Sequence, residues 1–99
     1  MSEKLMRHIV LLKFKDEATA EQIAEVGRAF TALSTQIPAI VQVDWASAVN
    51  QGAAYSNCLY VTFQSETDLN AYEQHPAHEA VSQQFGHLVA GATVVNCWL

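Results

Sequence analysis

Residues 7–14, RHIVLLKF, restrict the fold of this chain more than any other segment. The run is rich in branched and aromatic side chains and too short for a long helix, so it predicts a first β-strand. Ile9 and Leu11 alternate with His8, Val10, Leu12 and Phe14, which leaves both faces of that strand largely apolar. An antiparallel sheet with one wetted face shows polar residues at every second place instead. Residues 56–63 repeat the pattern, with Leu59, Val61 and Phe63 set against Cys58 and Tyr60, and near the C-terminus Val94 opposes Val95 and Cys97. The sheet therefore needs cover on both sides. The chain's own helices supply one cover, and a second copy in a two-fold homodimer is the economical source of the other.

The remaining elements follow from local signals. Thr19 to Gln22 matches a capping box, and Ile23, Val26, Phe30 and Leu33 recur at helical spacing, predicting a helix over residues 19–34 that Pro38 closes. Residues 40–49 predict a second strand with Val41, Val43 and Trp45 on one face, joined by the turn Asn50-Gln51-Gly52 to a third strand over 56–63. Ser65, with Asp68 three places on, caps a helix that carries Leu69 and Tyr72. A further helix sets His78, Val81, Phe85 and Leu88 on one stripe; Gly91 marks its end, and residues 93–98 predict the fourth strand. The order β-α-β-β-α-β, over one domain spanning 1–99, is that of an α+β, ferredoxin-like antiparallel sheet with its helices on one face.

Composition narrows the function. The 99 residues fit one small domain, and a net charge of −5 without long charged runs argues against nucleic acid or an anionic membrane surface as partner. No apolar stretch approaches the roughly 20 residues of a membrane span, and the first residues lack the apolar segment of a signal peptide, so a soluble cytoplasmic protein is expected. Two cysteines, Cys58 and Cys97, are too few and too widely spaced for a zinc knuckle or disulfide framework.

The run Tyr72-Glu73-Gln74-His75-Pro76-Ala77-His78 gathers groups that move protons near neutral pH around a helix breaker. Proline has no N–H and favours a first helical turn, so one helix ends near His75 and another starts at Pro76, with Tyr72 and His78 on opposite sides of the corner. His78 is the candidate general base and Tyr72 the candidate donor to an oxygen gaining charge. His8 is placed to orient a substrate. The expected cavity lies between helices and sheet, lined by Val10, Leu12, Val26, Phe30, Leu59, Val61, Phe85 and Leu88, and suits a small apolar carbonyl compound. The ordinary structural readings are a core tyrosine, buried neutral histidines bonded to carbonyls, and His75 as a cap. His75, His78 and His87 have poor spacing for a metal, so no metal and no organic cofactor is expected.

Residues 7–16, the strand end Val61-Thr-Phe-Gln-Ser-Glu66 and the corner Tyr72-x-x-His75-Pro76-x-His78 together resemble the stress-responsive dimeric A/B barrel family. The resemblance spans nearly the whole chain and implies homodimers of ferredoxin-like subunits. It also implies a catalytic tyrosine and histidine at Tyr72 and His78 and a pocket histidine at His8, as in a polyketide cyclase of the family that works by intramolecular aldol condensation. Some relatives hold a cation on backbone carbonyls, which would here be those of Ser34, Ile37 and Ile40. The chain departs from the cyclase pattern at Gly27, where a large aromatic stands, at Phe30, which lacks a hydroxyl, and at Asn96, where many relatives carry Asp. Three functions from different classes follow: a cofactor-free cyclase or lyase, a non-catalytic stress or ligand-binding protein, and a cofactor-free oxygenase of the wider dimeric α+β barrel superfamily.

Overall fold

A computed structural model describes residues 4–99. The elements are β1 (Met6–Phe14), α1 (Ala20–Ala32), β2 (Gln42–Ser47), β3 (Asn57–Phe63), α2 (Glu66–Gln74), α3 (Pro76–Phe85) and β4 (Val89–Trp98). The strands form one four-stranded sheet in the order β2-β3-β1-β4, every neighbouring pair antiparallel. This is the expected ferredoxin-like α+β arrangement.

Register and strand alternation sort the side chains by face. His8 lies opposite Val61 of β3 and Asn96 of β4, and Val10 opposite Leu59 and Val94, so these residues share the helix-covered side. Met6, His8, Leu12 and Phe14 are buried there with Leu59, Val61 and Phe63. The opposite side carries Arg7, Ile9 and Leu11 of β1, Cys58, Tyr60 and Thr62 of β3, and Val95 and Cys97 of β4. No helix among the described residues covers that second side.

The capping box of α1 is formed: Thr19 Oγ1 accepts from the Gln22 N–H at 3.1 Å and Gln22 Oε1 from the Thr19 N–H at 2.9 Å. The helix tightens into a 3₁₀ turn over Leu33–Thr35. There the Ser34 and Thr35 hydroxyls donate to the carbonyls of Thr31 and Ala32, which competes with continued α geometry. Strand β2 is shorter than the predicted 40–49, with Val49 98% exposed in the connecting loop, and Gly52 turns the chain at φ 77°.

Strand β4 differs more. It begins at Val89 rather than at residue 93, and Gly91 lies within it. Lys13 pairs with Gly91 but Phe14 with Val89, so Ala90 is an extra residue and the strand bulges at this point. Glycine marks a bulge here instead of a helix end, and a short turn over Gly86–Leu88 makes the transition from α3.

Candidate active site

The two helices that meet at Pro76 are held by matched caps. Ser65 Oγ accepts from the Asp68 N–H at 3.1 Å and starts α2. His75 ends α2 in extended geometry and caps α3, its Nδ1 accepting from the Ala77 N–H at 3.0 Å while Pro76 fills the first turn. Tyr72 therefore sits in the last turn of α2 and His78 in the first turn of α3. Their rings approach to 4.5 Å between centroids at 54°. Phe63 of β3 supports the phenol from 5.2 Å, and Phe30 of α1 lies 6.4 Å from the His78 ring. His8, reaching up from β1, meets Tyr72 edge-on at 5.9 Å.

His8, Phe30, Tyr72 and His78 border a cavity of about 470 Å³. Its walls are Val10, Leu12, Val26, Phe30, Leu59, Val81, Phe85, Val89 and Val94, and its polar groups come from His8, Tyr72, Glu73, His78 and Ser82. Apolar lining with a few clustered polar groups is the usual character of a small-molecule site.

The electrostatics separate the roles of the two corner residues. Burial, with the Glu73 carboxylate adding to it, holds the Tyr72 phenol well above the ordinary tyrosine range, so it stays a donor at neutral pH. Burial lowers the pKa of His78; the backbone carbonyl and charge of Glu73 pull the other way, His8 reinforces the lowering, and Glu79 opposes it. The imidazole is thus kept neutral and able to accept a proton. Its Nδ1 is buried with no hydrogen-bond partner among the described residues. Neighbouring groups whose environments push their pKa values apart are suited to acid and base work.

Of the site residues expected from sequence, Tyr72, His78, His8, Val10, Leu12, Val26, Phe30, Leu59 and Phe85 all line this one cavity. Val61 and Leu88 do not, and that expectation is corrected. Val61 is completely buried in the core with Leu33, Ile37, Phe63 and Tyr72, which leaves no surface to line a cavity. Leu88 falls in the 3₁₀ turn after α3, where the change of pitch takes it off the His78–Val81–Phe85 stripe and packs it with Leu12, Phe14 and Val26. Sequence reasoning missed Ser82, although it follows His78 by four residues on the same helical face. It also missed Glu73 of α2, and it missed the β4 residues Val89, Ala90 and Gly91 because the fourth strand was expected to begin later.

No group of three metal-ligating side chains occurs among the described residues. Of the three carbonyls that the family resemblance singles out, that of Ile37 accepts from the Ile40 N–H at 3.1 Å.

An antiparallel sheet carrying its helices on one face, with Tyr72 and His78 ring to ring at a helix-to-helix corner, defines a ferredoxin-like α+β subunit. Residues 6–99 match the Stress responsive A/B Barrel Domain, and the chain belongs to that family. It is 37% identical over 76 residues to olivetolic acid cyclase from Cannabis sativa, an alignment covering 74% of this chain and 75% of that protein. Among solved structures it is similar to a dimeric protein of ferredoxin-like fold from Bacteroides fragilis, with TM-score 0.80, 25% identity and 96% of each chain covered. The hydroxynitrile lyase of Passiflora edulis shares the fold at TM-score 0.88 and 17% identity, over 99% of this chain and 95% of the other. No described helix is long and apolar enough to cross a membrane.

Proposed function

We propose that this protein is a homodimeric enzyme of the cyclase or lyase kind, which uses Tyr72 and His78 for acid–base chemistry on a small, mainly apolar carbonyl compound. The observation that carries this reading is the 4.5 Å approach of a protonated phenol and a neutral imidazole at the wall of one apolar cavity. His78 removes a proton from the carbon next to a carbonyl. The resulting enolate carbon attacks a second carbonyl carbon, forming the C–C bond, and Tyr72 gives its proton to the oxygen that gains the electron pair. The imidazolium of His78 then returns a proton to the Tyr72 oxygen, so the proton balance closes on these two side chains and the step requires no cofactor. Run backwards, the same sequence breaks a C–C bond. The identity with olivetolic acid cyclase supports this chemistry.

Dimerisation rests on the uncovered sheet face. Ile9, Leu11, Tyr60 and Val95 lie there, together with Arg7 Nε and Thr62 Oγ1, which are buried yet have no partner among the described residues. A second copy of the chain would cover the apolar area and offer partners to those polar atoms.

The test is deuterium incorporation. Apolar ketones, 1,3-diketones and β-hydroxy ketones incubated in D₂O with the protein should exchange the protons next to the carbonyl faster than in buffer, and the His78→Ala protein should lose that acceleration. A panel in which no compound exchanges faster, yet some raise the melting temperature, would instead make this a ligand-binding protein.

A further inference from the structure

His8 and Asn96 come from neighbouring strands, 88 residues apart in sequence, and are register partners in the β1–β4 ladder. His8 Nδ1 lies 2.7 Å from Asn96 Oδ1. An amide oxygen only accepts, so Nδ1 carries the hydrogen, and in the neutral ring Nε2 then keeps its lone pair. The ring is 4% exposed and lines the cavity, and Nε2 has no protein hydrogen bond among the described residues. Asn96 itself does not line the cavity.

We propose that Asn96 is a positioning residue: it fixes His8 in the Nδ1–H tautomer, so that Nε2 offers the cavity a hydrogen-bond acceptor for a hydroxyl or enol group of the ligand. This deepens the proposed function and rests on it for the identity of the cavity as the reaction site. The consequence is a substrate class. Tyr72 supplies one donor, and His8 and His78 supply two acceptors, so the complementary ligand carries a carbonyl oxygen and, a few bonds away, an O–H. An enolised 1,3-dicarbonyl or a β-hydroxy carbonyl compound has this pattern, whereas a simple ketone leaves one acceptor unmatched. An asparagine at this position also adds no charge to the group facing His8. The titratable neighbours on the elements packed against it are Tyr72 and Glu73 of α2 and His78 of α3, and β3 presents Val61.

Two readouts test this. The first needs no turnover: ¹⁵N NMR of the imidazoles above pH 7.5 should show His8 with Nδ1 protonated in the wild type and a mixture of tautomers in Asn96→Ala. A wild type with Nε2 protonated overturns the inference whatever the protein catalyses. The second is binding of 1-phenylbutane-1,3-dione, largely enolic, against its enol methyl ether, which lacks the O–H. The wild type should prefer the enol by about tenfold, the weight of one good hydrogen bond, and Asn96→Ala should lose that preference. Equal affinity of the wild type for both compounds, or failure to bind the enol, contradicts the acceptor role. Asn96→Asp provides the conservative control. Its carboxylate oxygen still accepts from Nδ1–H, so the Nδ1-protonated tautomer should persist in the ¹⁵N spectrum above pH 7.5. If exchange of carbonyl compounds fails while the tautomer and the enol preference hold, the proposed reaction falls and the ligand class stands.

Discussion

Tyr72 and His78 belong to different helices, yet their rings meet at 4.5 Å because Pro76 breaks the chain between them and His75 caps both sides of the break. The arrangement takes polar tips out of water without giving His78 Nδ1 a partner. Such strain is usual where function opposes stability. Tyr72→Phe, measured by thermal unfolding at pH 7.5, should therefore melt at the wild-type temperature or above. A fall of several degrees would mean that the hydroxyl serves the fold.

The pH dependence of stability has a defined sign. Burial lowers the folded-state pKa of His78 beneath the ordinary 6.5, so between the two values the unfolded chain binds a proton that the folded chain does not. Stability therefore rises with pH through this window, and the loss is complete below the folded value. His78→Gln removes the ionisation. Denaturant midpoints from pH 5 to 8 should show the variant gaining most over wild type at the acid end, with the gap narrowing as the pH rises towards 6.5 and level above it. A constant gap contradicts the assignment.

Much of this architecture was legible in local sequence because its signals are local. The capping box at Thr19, the Ser65 cap and the Pro76 corner each act within a few residues, and the two-sided apolar character of β1 needs only alternation. The early start of β4 was not legible, because the bulge at Ala90 is decided by pairing with Lys13 and Phe14, far away in sequence. Leu59 and Val61 look alike on one strand face and share one core cluster, yet only Leu59 also lines the cavity, a difference that alternation along the strand does not carry. The link from His8 to Asn96 is likewise a matter of register.

The uncovered face predicts association. Light scattering after size exclusion should report about twice 10.9 kDa, and Leu11→Lys should dissociate the dimer, since a charge buried without a partner costs several kcal/mol. A wild-type monomer at micromolar concentration would remove the sheet-to-sheet arrangement.

Gly27 is set by its neighbour. A Cβ there would stand 2.5 Å from Trp45 Nε1 and 2.6 Å from Cδ1, so the indole lies on the helix backbone. Alanine would improve helix propensity by about 1 kcal/mol, but overpacking a ring typically costs about 1–3 kcal/mol. Gly27→Ala should thus be destabilising in urea titration, and adding Trp45→Leu should remove most of that penalty. A Gly27→Ala protein more stable than wild type would contradict the contact.

Cys58 pairs with Leu11 and Cys97 with Arg7, which separates them by two strand spacings, roughly 10 Å, and by four residues along β1. Both are free. A disulfide requires Cα atoms within about 7 Å, so thiol titration of the denatured, unreduced protein should find two thiols per chain. A single chain titrating with none would refute the strand order.

The pairing of Tyr72 with His78 is tested most directly by a double-mutant cycle on the C–C cleavage of one active β-hydroxy ketone, the reaction that uses both groups. Groups that hand a proton to each other act as a unit, so Tyr72→Phe, His78→Ala and the double variant should all fall to a similar low rate. If the two single losses multiply in the double variant, or if either single variant keeps the wild-type rate, the two side chains do not work together.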